Sequence, residues 1–440
     1  MKKIILVFAI LFLFKVGVYS QTAEEQYNKG VDKYNANDFK GAIECYDKCI
    51  ALDAKFTKAY YNRGTIYYKQ KEYDKALSDY NKAIECKPDY DIAYNNRGLT
   101  KSKLNDHKGA VEDFKKALEI NPKYAMSYIN LGLEDEHDKN YTSAIGNYSK
   151  AIELDATSRT AWYDRAYCKN LNLDYSGSVA DYTKTITLDP KYIEAYFNRG
   201  MAYRKLKNFS SGLNDFKKVV ELDDNDYEAW NNKGLCEYDM ASYSEALASY
   251  NKSIQIKANY VTALYNRALC KDKLSDLTGA IADYSKIIEL NPKETDAYYN
   301  RGCDKNDQKD YAGAILDYNK TIELNPDDAD AYYNRALAKT NLPDLTGAIA
   351  DYTKAIELSP SDADAYYNRG CVKRTLKKFA ESITDFDKAI ELKPKYAKAY
   401  NNRGLSKHDS GDKAGACADF KKADEYGSDK AKTNLESFCK

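Results

Sequence analysis

Large apolar, small and polar side chains recur along this chain with two superposed periods, the three-to-four spacing of a helix and a longer one of 34 residues. From Ala23 to Lys430 the sequence divides into 12 consecutive 34-residue blocks without insertion or deletion, beginning at Ala23, Thr57, Asp91, Ala125, Arg159, Ile193, Tyr227, Val261, Thr295, Ala329, Ala363 and Ala397. With each block numbered from one, place eight is Gly or Ala (Gly64, Gly98, Ala166, Ala268), place 20 is Ala, Ser or Gly (Ala76, Ser178, Gly212), and place 24 is aromatic (Tyr80, Phe114, Tyr284). Small residues at eight and 20 let two helices approach closely, while the aromatic at 24 and the Tyr or Trp usual at four fill the wedge beside them. Place 16 is Asp, Asn or Ser in ten blocks, as at Asp38, Asn140 and Ser242, which predicts an N-cap for a second helix. Seven of the eight prolines, Pro88, Pro122, Pro190, Pro292, Pro326, Pro360 and Pro394, fall at place 32 and stop that helix. Each block is predicted to be a helix, a turn and a helix.

The pattern of an aromatic at four, Gly or Ala at eight, Ala at 20, an aromatic at 24 and Pro at 32 resembles the tetratricopeptide repeat family. The resemblance implies an all-α, right-handed superhelical solenoid of twelve repeats over 23–430, whose concave wall of first helices holds peptides or partner proteins. The chain departs from the family at place 11, where Lys101, Lys271, Lys305, Lys339, Lys373 and Lys407 replace the usual aromatic; their stems are expected to snorkel. Residues 431–440, with Ala431, Leu435 and Phe438 at helical spacing, are predicted to form a capping helix over the last exposed face.

Place seven shares a stripe with four, eight and 11 and faces the second helix, so an arginine there needs a carboxylate. One stands 16 residues on in nine blocks: Arg63 with Asp79, Arg97 with Asp113, Arg165 with Asp181, Arg199 with Asp215, Arg267 with Asp283, Arg301 with Asp317, Arg335 with Asp351, Arg369 with Asp385 and Arg403 with Asp419. The three blocks without the Arg, at Lys29, Leu131 and Lys233, also lack the Asp and carry Cys45, Asn147 and Ser249. The coincidence predicts structural ion pairs internal to each block.

Place six falls in a second stripe with two, nine and 13, which by resemblance faces the groove. It is almost invariant: Asn28, Asn62, Asn96, Asn130, Asp164, Asn198, Asn232, Asn266, Asn300, Asn334, Asn368 and Asn402. A primary amide donates and accepts together, so from Asn62 to Asn402 these asparagines are the candidate rungs of a ladder reading the backbone of an extended guest. First helices about 9 to 10 Å apart match three residues of polyproline-II chain. The alternative is that the amides bond neighbouring helices. Place five adds aromatics near the groove edge, and Tyr61, Tyr265, Tyr299, Tyr333 and Tyr367 are candidate contacts. The family's carboxylate-clamp pattern needs Lys and Arg at groove places; Lys58 and Lys69 occur without a complete set.

Lys plus Arg and Asp plus Glu both number 67, which removes the basic excess expected of a nucleic-acid partner. The opening MKKIILVFAILFLFKVGVYSQ reads as a signal peptide over 1–20, cut after Ser20. Export to a periplasm or the exterior is expected, without membrane insertion after cleavage; an uncleaved signal would leave the chain anchored. The ten cysteines fall mostly inside predicted helices and read as buried thiols, with at most a single real bridge. His107, His137 and His408 stand in different blocks, and no metal, cofactor or catalytic motif is found. These features point to an exported interaction scaffold or adaptor rather than an enzyme, with a structural spacer of a cell-envelope assembly, or an enzyme with a cryptic groove site, as alternatives. Partner and oligomeric state are not encoded in any motif.

Overall fold

The computed structural model describes residues 22–439; the expected signal segment lies outside the described residues. These residues form 25 α-helices and no strand. First helices occupy places one to 13, from Ala23–Asn35 to Ala397–Asp409, and second helices begin at place 17, from Phe39–Leu52 to Lys413–Glu425. The capping helix, Asp429–Phe438, starts two residues before the boundary expected from its apolar spacing. The chain divides into two compact units, one ending at Asp215 and the other beginning at Phe216, where the sequence showed one unbroken array.

Between the helices of each repeat, place 15 takes a left-handed backbone, with φ of 60° at Asn37, 63° at Lys71 and Leu173, and 66° at Lys309. That conformation turns the next N–H back onto the first helix, as Asp106 N donates to the Lys101 carbonyl at 2.9 Å. Place 16 then caps the second helix. Asp38, Asp106, Asn140, Asp174, Asp276, Asp310, Asp344 and Asp412 each accept from the backbone N–H three residues on. Ser242 makes no such bond, so the cap expected there is absent.

All twelve aromatics at place 24 are under 2% exposed and are the largest fully buried side chains among the described residues. Their rings lie against place eight so closely that a Cβ on Gly98 would stand 2.6 Å from the Phe114 ring and one on Gly132 2.6 Å from Tyr148. Two further buried places went unmarked by the sequence pattern. Place three, as at Ala59, Ala161 and Ala297, and place 27, as at Ala83, Ile287 and Ala389, are wholly enclosed.

The arginines at place seven sit over this core and are held by a network wider than a pair. In the nine Arg blocks Nε and a terminal nitrogen grip both oxygens of the place-23 aspartate, Arg301 to Asp317 at 2.9 and 2.6 Å, and Arg63 to Asp79 at 2.8 and 2.6 Å. Arg335 with Asp351 and Arg369 with Asp385 repeat the fork at 2.6 to 3.0 Å. The other terminal nitrogen leaves the block and reaches place 25 of the preceding repeat, as Arg301 does to Ser285 at 2.9 Å and Arg335 to Asn319 at 2.7 Å. The bridge is therefore both internal and between repeats. The place-11 lysines do more than snorkel: Lys101, Lys169, Lys271, Lys305, Lys339, Lys373 and Lys407 put Nζ on the same aspartate at 2.7 to 2.9 Å. Asp79 and Asp215 stand in the two Arg blocks with Tyr67 and Tyr203 at place 11. Burial holds both carboxyls above the usual carboxylate range despite the arginine.

Two of the blocks without Arg move the carboxylate to the first helix. Asp135 at place 11 accepts from Asn147 at 2.7 Å and Ser143 at 2.6 Å; Glu237 accepts from Lys233 at 2.7 Å and Ser249 at 2.5 Å. Eleven of the twelve repeats place one anion in this slot, from either helix, with hydrogen-bond donors on it; the first carries Lys29, Lys33 and Cys45 at these places instead.

Two outcomes test this account. Arg301→Ala is expected to cost about 3 kcal/mol in denaturant unfolding, and Asp317→Ala more, because it strands both Arg301 and Lys305. The double variant should lose about 2 kcal/mol less than the sum, and strict additivity would refute the coupling. Leu173→Gly, at an exposed left-handed position, should raise stability by about 0.5–1 kcal/mol by thermal melt.

Candidate functional site

With place seven locked inward, place six of each first helix points along the opposite stripe, and the structure brings the asparagines together with the place-five residue of the preceding repeat. Asn62 Nδ2 donates to the Tyr27 hydroxyl at 3.2 Å, Asn96 to Tyr61 at 2.9 Å, Asn198 to Tyr163 at 2.8 Å, and Asn300 to Tyr265 at 2.8 Å. Asn334 to Tyr299, Asn368 to Tyr333 and Asn402 to Tyr367 follow at 2.9, 2.7 and 2.8 Å. Where place five is itself an asparagine the clasp becomes amide to amide: Asn130 donates to Asn95 at 2.8 Å and Asn266 to Asn231 at 2.9 Å. The pattern continues into the cap, where Asn434 donates to Asn401 at 2.8 Å.

The expected rungs are therefore stitches between neighbouring first helices as well. Most remain half-buried at the surface, and the carbonyl oxygens of Asn62, Asn198, Asn300, Asn334, Asn368 and Asn402 accept no hydrogen bond among the described residues. Two depart. Asn130 is 4% exposed, and Asn232, 9% exposed, turns back to the Glu228 carbonyl of its own helix at 2.9 Å. Burial takes both side chains away from the open face.

The place-five tyrosines are wedged rather than free. Tyr61 packs against Tyr80 and Tyr90 with ring centroids 5.9 and 5.3 Å apart, and Tyr299 and Tyr333 lie similarly against Tyr318 and Tyr352. Each contributes its hydroxyl to the clasp and only an edge to the surface. The sequence carries a signal for this pairing: 35 residues apart, Tyr stands with Asn in seven pairs, Asn95 and Asn231 stand with Asn, and Ile129 stands with the single carboxylate, Asp164; the exception is Phe197, which stands with Asn232, the amide that turns back to its own helix.

Three shallow pockets lie beside the row. One of about 200 Å³ is lined by Thr65, Lys69, Tyr80 and Asn96; one of about 260 Å³ by Leu99, His107, Asn130, Leu133 and His137; one of about 290 Å³ by Thr262, Tyr265, Asn266 and Asp296. In the second, His107 and His137, separate in sequence, stack with centroids 4.0 Å apart, and His107 Nδ1 lies 2.7 Å from Glu134. No group of three His, Cys, Asp or Glu side chains among the described residues is placed to hold a metal ion.

The thiol reading of the cysteines is corrected at one end. Cys417 and Cys439 form a disulfide, with Cα atoms 5.7 Å apart, across the last second helix and the cap. The helix Asp429–Phe438 packs against the last second helix, so Cys417 at place 21 of the twelfth repeat meets Cys439 at its end. Phe438 beside them packs on His408 and Phe420, with centroids 4.2 and 6.1 Å apart. No helix among the described residues is long and apolar enough to cross a membrane.

Between the first helices of the eighth and ninth repeats, Asp304 is 6% exposed beside Asp272, whose carboxylate accepts from the Tyr284 hydroxyl at 3.3 Å. Burial first, then repulsion from Asp272 and Asp307, pushes the Asp304 carboxyl up to about 8. A carboxyl raised on folding contributes stability that is complete below its unfolded value and is lost as pH rises through its folded one. Hydrogen-exchange protection of Thr295–Asp307 should therefore fall between about pH 4 and pH 8. Asp304→Asn should flatten that decline; an unchanged slope would refute it.

Models of the tetratricopeptide repeat match residues 57–90, 92–124, 193–226 and 363–396, and 227–260, 261–294 and 397–426; a further TPR repeat model matches 30–71, 305–342 and 344–375. No curated protein matches the chain. Among solved structures, MamA is 30% identical over 40% of this chain and 96% of its own, with a TM-score of 0.37. YrrB, described as a TPR protein with an unusual peptide-binding site, is 24% identical over 43% of this chain and 98% of its own, with a TM-score of 0.40. A tetratricopeptide repeat protein from Parabacteroides merdae is 23% identical over 56% of this chain and 99% of its own, with a TM-score of 0.42. The 34-residue frame, its helix pairs and the family-model matches agree: the chain belongs to the tetratricopeptide repeat family.

Proposed function

We propose that this protein is an exported interaction scaffold whose first-helix face holds an extended peptide or a segment of a partner protein. The observation that carries the proposal is the geometry of the place-six amides. In seven of them one N–H is committed to the neighbouring tyrosine hydroxyl, which orients the group, while the carbonyl oxygen of Asn300, Asn334 or Asn368 has no partner among the described residues. An oriented acceptor in each of the last four repeats, at Asn300, Asn334, Asn368 and Asn402, suits a peptide N–H, and the second amide hydrogen suits the adjacent C=O. Asn130 and Asn232 are left out of the proposed set because they are buried. Pockets beside Asn96 and Asn266 offer room for side chains of a guest held by its backbone. The Cys417–Cys439 bridge supports export, since such bonds persist in oxidising compartments.

Binding of an extended-peptide array to the full chain tests this, alongside two triple variants whose folding is monitored by circular dichroism. Asn300, Asn334 and Asn368 changed to Ala should weaken capture by about tenfold or more. Tyr265, Tyr299 and Tyr333 changed to Phe keep the amides but free them, and should weaken it by about threefold. Unchanged capture by the Asn→Ala variant would remove the amides from the site, and no capture by the native chain would favour a structural spacer.

A further inference from the structure

The place-six row is broken once by a carboxylate. Asp164 stands opposite Ile129, which is 4% exposed and has no hydrogen-bonding group to complete a clasp. Asp164 makes no hydrogen bond and no ion pair among the described residues. Its near neighbour is a second carboxylate, Glu136, which accepts from the Tyr148 hydroxyl at 3.2 Å and the Cys168 thiol at 3.6 Å. The three cations of the same first helix are engaged elsewhere: Arg165 and Lys169 on Asp181 at 2.7 and 2.8 Å, and Arg159 on Asp189 at 2.7 Å. Burial, then Glu136, pushes the Asp164 carboxyl up to about 7, as expected of an anion without a counter-charge.

The surface around this carboxylate is apolar. Exposed large hydrophobic side chains at places two, nine and 13 occur in two adjacent repeats alone among the described residues: Met126 (48%), Leu133 (44%), Tyr167 (36%) and Leu171 (39%). Places two and 13 elsewhere mostly carry polar or charged side chains such as Lys58, Lys69, Asp296, Asp307 and Asp330, while apolar residues at place nine elsewhere, such as Leu99, Leu235 and Leu337, are half-buried. Leu133 also lines the 260 Å³ pocket with Leu99 and the His107–His137 stack. Four exposed apolar side chains around one uncompensated carboxylate are costly to leave in water and mark an interaction surface.

We infer that the first-helix face of the fourth and fifth repeats is the specificity subsite of the scaffold, holding an apolar stretch of guest peptide that carries one Lys or Arg against Asp164. The inference rests on the peptide-binding proposal above and adds to it the chemistry of the guest and its position. Leu133, Leu171 and Met126 take the apolar side chains, and the cation completes a charge balance that no residue of this chain supplies. An asparagine at this place would offer the backbone-binding amide proposed for Asn198; the carboxylate selects a side chain.

The test uses the full chain and labelled apolar peptides of about ten residues, enough polyproline-II chain to cross three first helices. The peptides carry Lys, Arg, norleucine or Glu at one central position. Fluorescence anisotropy should show Lys and Arg peptides binding about tenfold tighter than norleucine, with Glu weakest. Asp164→Asn, which restores the residue found in the rest of the row, should keep the norleucine peptide and reduce the cation preference to within about twofold. Leu133→Ser with Leu171→Ser should weaken all four peptides. Peptide binding without cation preference, or a preference that survives Asp164→Asn, would overturn this subsite while leaving the scaffold proposal standing. Absence of any peptide binding would overturn both. A native dimer in sedimentation that dissociates in the Leu133→Ser, Leu171→Ser variant would assign the face to a second copy of the chain and overturn the peptide.

Discussion

A buried carboxylate between two helices of one repeat sets the orientation on which everything else depends. Asp317 is enclosed, and its two oxygens are gripped by the fork of Arg301 and by Lys305 from a single face of the first helix. Three directional, charge-assisted bonds fix the rotation of that helix about its axis far more narrowly than alanine and tyrosine packing would. The third arm of the arginine, on Ser285, ties the same helix to the repeat before. Where the arginine is missing, Asp135 and Glu237 return the anion from the first helix. Eleven of the twelve repeats therefore keep a hydrogen-bonded anion in a confined slot while the residue supplying it moves; in the fourth its donors, Ser143 and Asn147, are neutral.

That rotation decides what the opposite stripe presents. Adjacent helical positions point about 100° apart, so locking place seven inward leaves place six outward. The outward amide then serves two ends. Its donor stitches one first helix to the next through a tyrosine hydroxyl, and its acceptor stays available on the surface. Under the proposed function, cohesion of the array and recognition of a guest share one side chain, and the stitch orients the group that would recognise.

Against this uniform frame the face varies in chemistry. Repeats four and five are apolar around one carboxylate, while places two and 13 in later repeats turn acidic, at Asp296, Asp307, Asp330 and Asp364. Some of that acidity is spent locally: Tyr396 donates to Asp364 at 2.5 Å. A regular backbone scaffold with irregular side chains can hold one kind of chain and still select among its sequences.

The repeat length, the helix pairs, the place-24 core and the Arg–Asp partners were legible in the residues, because each depends on spacing within about one block and a helix converts spacing directly into direction. The amide row was legible as a row. Its engagement with tyrosine hydroxyls was not, although the 35-residue covariation of places five and six carried the signal, because a polar side chain between two helices has both a neighbour and solvent as possible partners. Likewise the second cation on each aspartate, the enclosed places three and 27, the Cys417–Cys439 bridge and the stacked His107 and His137 arise only when repeats or the cap are laid against one another. Local periodicity determines which way a side chain points; which of the available partners it meets is decided by the distance between elements, and only the tertiary structure sets that.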